Sequence, residues 1–175
     1  MRRAPTTMLA VCLATLIPCA LAWAAPLSRE TVERSNDEIV ASLKEHSAQK
    51  VRTWFSKRAT PDYAQVENGK RTSRKECLDG ALQMLQGKYK KIEWKIQSFK
   101  SGPKEAHSVE QWVYEMTQRG PDGEDHVVVM TDTEDNLWVP TSTGWKVKSV
   151  KVLTNKITID GEPIDAPERR DTSTT

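Results

Sequence analysis

This chain of 175 residues is poor in cysteine and histidine, has almost no net charge and contains no long hydrophobic run. Its cysteines are Cys12, Cys19 and Cys77, and the first two lie in a segment that we expect to be removed. A lone Cys77 excludes an internal disulfide, so an apolar core must hold the fold. Lysine and arginine number 26 against 24 aspartates and glutamates. This balance gives no basic excess for nucleic acid, and we expect no nucleic-acid partner.

The N-terminal segment has the order of a secretory signal. Arg2 and Arg3 precede an apolar run from Met8 to Ala22, and Ala22-Trp23-Ala24 offers the small residues that a leader peptidase reads. The run falls short of the roughly 20 apolar residues that a membrane-spanning helix needs. We therefore expect residues 1–24 to be a cleaved signal peptide and the protein to be periplasmic or secreted, with no membrane contact beyond the leader. An uncleaved N-terminal anchor is the alternative.

Helical spacing dominates the first part of the remaining chain. Apolar residues at three-to-four spacing predict one helix from Pro26 to about Lys57, with Ser35 and Glu38 as a capping box. The residues before Ser35, 25–34, are charged and are expected to form an N-terminal extension.

Two further helical segments are predicted downstream. Thr60 and Pro61 predict the start of a short second segment, because proline suits the first helical position. Ser73 and Glu76 match another capping box and open a third helix, which Gly87 is expected to end.

After Gly87 the apolar period changes from 3.6 to 2, which predicts strands. Helices followed by consecutive strands with tight turns are typical of an α+β domain, here a curved antiparallel sheet packed on N-terminal helices and enclosing a pocket. We expect one domain over residues 35–160 and a flexible tail over residues 161–175. The predicted strands lie around Ile92–Gln97, at Ala106–Gln118, at His126–Thr133 with a continuation past a bulge to Thr141, and at Trp145–Leu153.

This order of elements resembles the nuclear-transport-factor-2-like superfamily, also called SnoaL-like or ketosteroid-isomerase-like, in its secreted bacterial type. Asp62-Tyr63 resembles the Asp-aromatic pair that ends the second helix of many secreted members. Gly69 with Thr72–Glu76 resembles the glycine turn and capped third helix. Trp138-Val139 and Gly144–Val147 resemble the terminal hairpin. The resemblance covers about residues 35–160.

The resemblance implies a cone-shaped α+β barrel with an open pocket. Members include isomerases, cyclases, dehydratases and non-catalytic binding or dimerising domains, so the fold does not choose a function. The family's isomerases use a carboxylate base near the end of the second segment, where Glu67 or Asn68 falls, with a tyrosine and a carboxylic acid as oxyanion donors. The first helix of this chain offers no tyrosine, and no histidine aligns with Asp62 to form the dehydratase-type dyad.

Some ionisable residues are nevertheless candidates for proton transfer. Asp132 belongs to an acidic cluster with Glu134 and Asp135, in which burial could raise one pKa; the favoured alternative is that Thr133–Asn136 form a bulge or loop with solvated acids. No histidine pair has metal-ligand spacing, so we expect no metal site and no cofactor. The catalytic candidates are Asp62, Glu67, Asp132 and His126.

Aromatic residues are the more suggestive feature. A concave sheet lined by rings suits an apolar ligand, although aromatic strand residues also form ordinary cores and dimer interfaces. Cys77 lies in a helical apolar stripe and is expected to be a small core residue. The candidates for a ligand pocket are Tyr63, Trp94, Trp112, Tyr114 and Trp138.

The sequence therefore favours an exported, non-catalytic domain that binds a small apolar molecule in its pocket or forms a homodimer through its sheet. One alternative is an isomerase- or dehydratase-type enzyme that uses a pocket carboxylate. Another is an accessory domain that binds envelope polymer or another protein, since tryptophans can stack on sugars.

Overall fold

Three helices lie against one curved, unclosed sheet of seven strands, and the computed structural model describes residues 25–164. The predicted signal peptide and residues 165–175 lie outside this range. No helix within it is long and apolar enough to cross a membrane. The helices are α1 (Arg29–Lys44), α2 (Ala48–Arg58) and α3 (Arg74–Gln83), the last extended by a short 3₁₀ turn (Met84–Gln86). The strands are β1 (Ala59–Glu67), β2 (Lys70–Ser73), β3 (Lys88–Ser101), β4 (Ala106–Arg119), β5 (Asp125–Thr141), β6 (Gly144–Ile159) and β7 (Glu162–Pro163).

The predicted long first helix is in fact two helices. Ser28 caps α1 by accepting a hydrogen bond from the Thr31 backbone, so the expected capping box at Ser35 is wrong. At the other end of α1, His46 adopts a left-handed φ of 51°, and the Ser47 N–H bonds back to the Ser42 carbonyl at 3.1 Å. This is a Schellman ending, which usually carries glycine. The Ser47 side chain then caps α2, so one short segment both ends and restarts the helical chain.

The segment predicted to open a second helix at Thr60 is instead strand β1. Proline lacks the N–H that a sheet ladder needs, so it is confined to places where strand pairing lapses. Pro61 meets this condition, because the pairing of β1 with β6 is irregular between Ala59 and Ala64 and β2 pairs only from Ala64 onward. Asp62-Tyr63 therefore lies in a strand rather than at a helix end.

The third helix is as predicted. The Ser73 hydroxyl accepts from the Glu76 backbone, and the Glu76 carboxylate accepts from the Ser73 backbone, which completes the capping box. Gly87 ends the helical segment after the 3₁₀ turn. A Cβ at Gly87 would lie 2.6 Å from the Met116 sulfur, so the helix end approaches β4 closely only because this residue is glycine.

The sheet is mixed rather than wholly antiparallel. Its strand order is β2-β1-β6-β5-β4-β3, with β7 paired to β6. Every pair is antiparallel except β1 with β6, because the chain crosses from one side of the sheet to the other through α3. β5 continues to Thr141 as predicted, but without the predicted bulge: its pairing with β4 is regular, and the register shift against β6 between Thr133 and Glu134 comes from an extra residue in β6, Leu153. Glu162 and Pro163, assigned from sequence to the tail, pair with the end of β6.

Two apolar clusters join the helices to the concave face of the sheet. Ile39, Leu43 and Val51 from α1 and α2 pack with Ile92 and Trp112 from β3 and β4. The second cluster contains Leu27, Val32, Ile96, Ala106, Trp138, Val147 and Val150. The helical layer thus closes over one half of the sheet and leaves a hollow beneath α3.

Strand β3 forms one edge of the sheet and carries a row of lysines. Exposed edge strands are prone to pair with other chains, and lysine is a common means of preventing this. Five lysines lie along this edge strand. All are exposed: Lys88, Lys90, Lys91, Lys95 and Lys100.

Candidate functional site

A cavity of about 370 Å³ lies between the three helices and the concave face of the sheet. Its volume is within the range of small-molecule sites, which is roughly 300–1,000 Å³. The α3 face that borders it presents residues at helical spacing, namely Cys77, Gly80, Ala81 and Met84. The floor comes from alternate residues of β4 and β5, because successive strand side chains point to opposite faces.

Aromatic side chains make up much of the cavity wall. On the floor, the rings of Trp112 and Tyr114 are stacked, with centroids 5.9 Å apart and an interplanar angle of 6°. On the opposite wall, Phe55 and Tyr63 meet edge to face at 5.4 Å, and Trp54 lies beside them. Burial raises the pKa of both tyrosine hydroxyls, so each keeps its proton and can donate to a ligand.

Two carboxyl groups on β5 also border the cavity. Asp132 and Glu134 are two residues apart and share the inward face of the strand. Burial, assisted by the charge of Glu67, raises the pKa of Asp132 to about 6. Burial, assisted by the charges of Asp132 and Glu110, raises the pKa of Glu134 to about 8. At neutral pH Asp132 is therefore largely ionised, whereas Glu134 largely keeps its proton.

Arg58, at the end of α2, is held firmly at one side of the cavity. Its guanidinium donates to Asn36 Oδ1 at 2.7 Å and lies 3.4 Å from Glu110 Oε2. The same group lies over the rings of Trp54 and Trp138, at 5.1 and 4.7 Å from their centroids. Only 9% of the Arg58 side chain is exposed, so its charge is committed to these contacts.

Glu110, the carboxylate that faces Arg58, is fully buried and fully engaged. Asn36 Nδ2 donates to it at 2.8 Å and Ser108 Oγ at 2.6 Å. Trp138 Nε1 donates in turn to Ser108 Oγ at 2.8 Å. This connected network satisfies its members, as a buried polar cluster requires, and fixes α1 and α2 on β4.

Cys77 is half-buried and borders the cavity, rather than lying wholly within the core as the sequence predicted. Burial raises the pKa of its thiol to about 11. A thiol with such a pKa is protonated at neutral pH and is a poor nucleophile.

Of the candidate proton-transfer residues, the structure places only Asp132 in the cavity wall. Asp62 is exposed, and the Thr60 hydroxyl holds its pKa below the usual range. Glu67 is half-buried, accepts a hydrogen bond from Asn155 Nδ2 at 3.3 Å, and influences Asp132 through its charge. His126 lies at the start of β5, away from the cavity lining.

His126 instead belongs to a small ionic cluster between two turns. Its Nδ1 lies 2.7 Å from Asp160 Oδ2 and its Nε2 lies 3.0 Å from Asp122 Oδ2. The hydrogen bonds to Asp160 and then to Asp122 raise the pKa of the imidazole. Among residues 25–164, no group of three or more His, Cys, Asp or Glu side chains is arranged to hold a metal ion.

Of the aromatic residues predicted for the pocket, Tyr63, Trp112 and Tyr114 line the cavity. Trp94 lies beside Trp112, with ring centroids 6.2 Å apart, and packs within the core clusters. Trp138 is 2% exposed and lies beneath Arg58. Neither of these two tryptophans borders the cavity.

Sequence reasoning missed several of the residues that border the site. The interpretation of Thr133–Asn136 as a loop of solvated acids was wrong for Glu134, which the continuous strand turns inward. The available signal was the alternation of Met130, Asp132 and Glu134, which marks one strand face. Trp54 and Phe55 were counted only as part of the predicted first helix, and Arg58 lies just beyond its predicted end at Lys57. Trp54, Phe55 and Arg58 are close enough in sequence to lie on neighbouring helical turns. No feature of the sequence, however, indicated that they border a cavity.

No protein-family model and no curated protein matches this sequence. Solved structures do match. A conserved protein from Planctomyces limnophilus has a TM-score of 0.55 at 12% identity, covering 76% of this chain and 94% of that one. A nuclear-transport-factor-2-like protein from Cytophaga hutchinsonii has a TM-score of 0.52 at 7% identity, covering 72% and 97%. A nuclear-transport-factor-2-like superfamily protein from Salmonella enterica serovar Typhimurium has a TM-score of 0.51 at 12% identity, covering 81% of this chain and 94% of that one. At such identities the likeness establishes the fold alone, and this fold is the nuclear-transport-factor-2-like one that the sequence resembled.

Proposed function

We propose that this nuclear-transport-factor-2-like domain binds a small, largely apolar molecule in the cavity beneath α3. The observation that carries this proposal is the lining of the cavity, which combines five aromatic side chains, two of them tyrosines, with three carboxyl groups. Ligand sites commonly have this composition, with apolar walls for affinity and few polar groups for orientation. The signal peptide expected from the sequence would put this binding outside the cytoplasm.

A neutral dye tests the proposal directly. N-phenyl-1-naphthylamine fluoresces more strongly in apolar surroundings and is small enough for the cavity. We expect saturable binding that also quenches the cavity tryptophans, Trp54 and Trp112.

A plug variant with a matched control identifies the site. A Cβ at Gly80 would meet no heavy atom within 4 Å, so this position accepts a side chain at the cavity border. Gly80→Phe should weaken dye binding at least tenfold, whereas Gly80→Ala should leave it unchanged. Dye binding that is indifferent to Gly80→Phe, or no binding by the wild type, contradicts the proposal.

A second candidate function, proton-transfer catalysis of the isomerase type, is favoured by one specific observation. Asp132 and Glu134 are neighbours whose pKa values are shifted to different extents, to about 6 and about 8. Such a pair provides a carboxylate base beside a protonated acid at neutral pH. Asp132 Oδ1 is also buried without a hydrogen-bond partner among the described residues.

This second candidate is tested with 3-cyclohexenone, a β,γ-unsaturated ketone whose isomerisation produces a conjugated, ultraviolet-absorbing product. Catalysis by Asp132 predicts turnover by the wild type that Asp132→Asn abolishes. Asp62→Asn is the control, because Asp62 is exposed and outside the cavity lining. Turnover that survives Asp132→Asn would eliminate this assignment.

Dimerisation through the sheet and binding of envelope polymer receive less support. Association through the outer face of the sheet is compatible with the fold, and light scattering on the purified protein would measure it. A row of sugar-stacking rings is not available on the described part of the chain, because each tryptophan there is buried or half-buried.

A further inference from the structure

The cavity has an uneven charge balance. Its lining contains three carboxyl groups, on Glu76, Asp132 and Glu134, and Arg58 is the one lysine or arginine among the described lining residues. Glu67 stands close enough to raise the pKa of Asp132. Even with Arg74, whose guanidinium lies 5.5 Å from the ring centroid of the lining residue Phe55, the acidic groups at the site outnumber the basic ones.

Arg58 does not correct this balance. Its guanidinium is hydrogen-bonded to Asn36, paired with the buried Glu110 and enclosed by two tryptophan rings. Its charge does lower the pKa of Glu134, but burial and the charges of Asp132 and Glu110 outweigh this effect. Neither Asp132 nor Glu134 forms a salt bridge with a lysine, arginine or histidine of residues 25–164.

The surroundings of Asp132 suit a positively charged guest. Asp132 lies directly opposite Trp112 across the β4–β5 register, and Trp112 stacks on Tyr114. Asp132 Oδ1 is buried and lacks a hydrogen-bond partner within residues 25–164. Aromatic ring faces attract ammonium groups, and this attraction increases when water is excluded. Ring faces and an unpartnered carboxylate therefore lie next to each other on the cavity floor.

We infer that the cavity binds an organic cation: an amine or quaternary ammonium group on a small apolar body, with its charge beside Asp132 and Glu134 and its carbon atoms against Trp112 and Tyr114. This inference rests on the proposed function and names its ligand class. The raised pKa values of the two acids agree with it, because a bound cation would favour their charged forms and lower both values.

An isosteric pair of ligands tests the role of charge. Benzyltrimethylammonium and neopentylbenzene have nearly the same shape, but only the first is charged. Both are used to displace N-phenyl-1-naphthylamine from the wild-type protein at pH 7 and constant ionic strength. We expect the ammonium compound to bind at least tenfold more tightly than the hydrocarbon. Because this comparison needs no variant, it does not depend on whether a substituted protein folds.

Variants then locate the charge. Asp132→Asn should reduce the affinity for benzyltrimethylammonium at least tenfold and leave neopentylbenzene unaffected. Asp125→Asn is the matched control, because Asp125 is exposed at the start of the same strand. Folding of each variant is checked by circular dichroism, and Glu134→Gln serves as a second variant with the same expected direction.

The pH dependence gives an independent readout. Affinity for the ammonium compound should rise between pH 5 and pH 8, as Asp132 and then Glu134 lose their protons, and binding should release protons into the buffer. The hydrocarbon should show no such rise. The other ionisable groups around Asp132 and Glu134 are Tyr63 and Glu67 on β1, Glu110 and Tyr114 on β4, Glu76 and Cys77 on α3, and Arg58 on α2.

The outcomes separate the two proposals. If the dye binds but the ammonium compound and the hydrocarbon displace it equally, the cation inference is overturned and the apolar site remains. If an anion such as benzylsulfonate displaces the dye best, the cation inference is overturned as well. If the dye does not bind, the proposed function fails. Calorimetry with benzyltrimethylammonium then tests the cation inference by itself, and absence of binding overturns that inference as well.

Discussion

Removing the carboxyl group of Glu134 should stabilise the protein above about pH 4.5, by an amount that grows up to about pH 8. Burial raises the pKa of this group from about 4.5 to about 8. Below pH 4.5 the group is protonated in both the folded and the unfolded chain and costs nothing. Between these two pH values the unfolded chain loses the proton and the folded chain keeps it, so the wild type progressively loses stability over this window and the loss levels off above pH 8. Glu134→Gln keeps a neutral side chain of nearly the same shape and should not show this loss.

The size of the effect follows from the shift. A change of about 3.5 pKa units corresponds to about 5 kcal/mol at roughly 1.4 kcal/mol per unit. The side chain is half-buried at the cavity wall and shares its shift with neighbouring acids. We therefore expect about half of that value, roughly 2–3 kcal/mol at pH 9, and almost none at pH 4.

Urea unfolding followed by tryptophan fluorescence measures this difference at several pH values. The relevant quantity is the free energy of unfolding of Glu134→Gln minus that of the wild type, because other groups titrate in both proteins. Glu105→Gln is the control, since Glu105 is exposed in the turn between β3 and β4. A difference that does not change between pH 4 and pH 9 would refute the burial of this carboxyl group.

Three further predictions concern the scaffold. Ser73→Ala removes the capping box of α3 and should lower the free energy of unfolding by about 1 kcal/mol in urea. Gly144→Ala should lower the free energy of unfolding by about 1 kcal/mol or more, because φ is +108° at this residue. Gly80→Ala, in helix α3, should raise it by about 0.5–1 kcal/mol. If thermal unfolding shows stability changes of the same sign for both variants, the reasoning is contradicted. The hydrogen bond to Asp160 raises the pKa of His126, so this pair stabilises the fold at low pH and the contribution is lost as pH rises through the raised value. Asp160→Asn should lower the imidazole pKa in an NMR titration, and an unchanged titration would disprove the contact.

The strand half of the fold was predictable from sequence because its signals are local. The alternation in β3 and β4 and the capping box at Ser73 each specify structure within a few residues. These elements occur as expected. Only the structure shows which of these strands are paired in the sheet.

The helical half was harder for identifiable physical reasons. The break at His46 carries no glycine, so its left-handed conformation leaves no clear mark in the sequence. Pro61 favours a helix start by local propensity, but pairing of β1 with the distant β6 overrides that preference. A parallel pairing between chain segments so far apart cannot be deduced from periodicity.

The site was predictable only in part. The strand aromatics Trp112 and Tyr114 were identified because β alternation puts them on one face. Glu134 was misread because the polar composition of Thr133–Asn136 favours a loop, whereas regular pairing of β5 with β4 keeps the strand alternation through this stretch. The contribution of Arg58 depends on tertiary contacts to Glu110, which no local pattern reveals.

The lysine row on β3 has a consequence for how copies of this protein can meet. The strand carries five lysines and one glutamate, and within the described part of the chain only Lys91 and Lys90 are paired, with Glu93 and with Glu115 of β4, so this rim of the molecule is cationic. Two such edges would repel each other electrostatically before their backbones could form hydrogen bonds. Added salt would screen the charges and weaken this repulsion. The repulsion therefore opposes edge-to-edge association of the sheets of successive copies. Such association should first become detectable at high salt concentration.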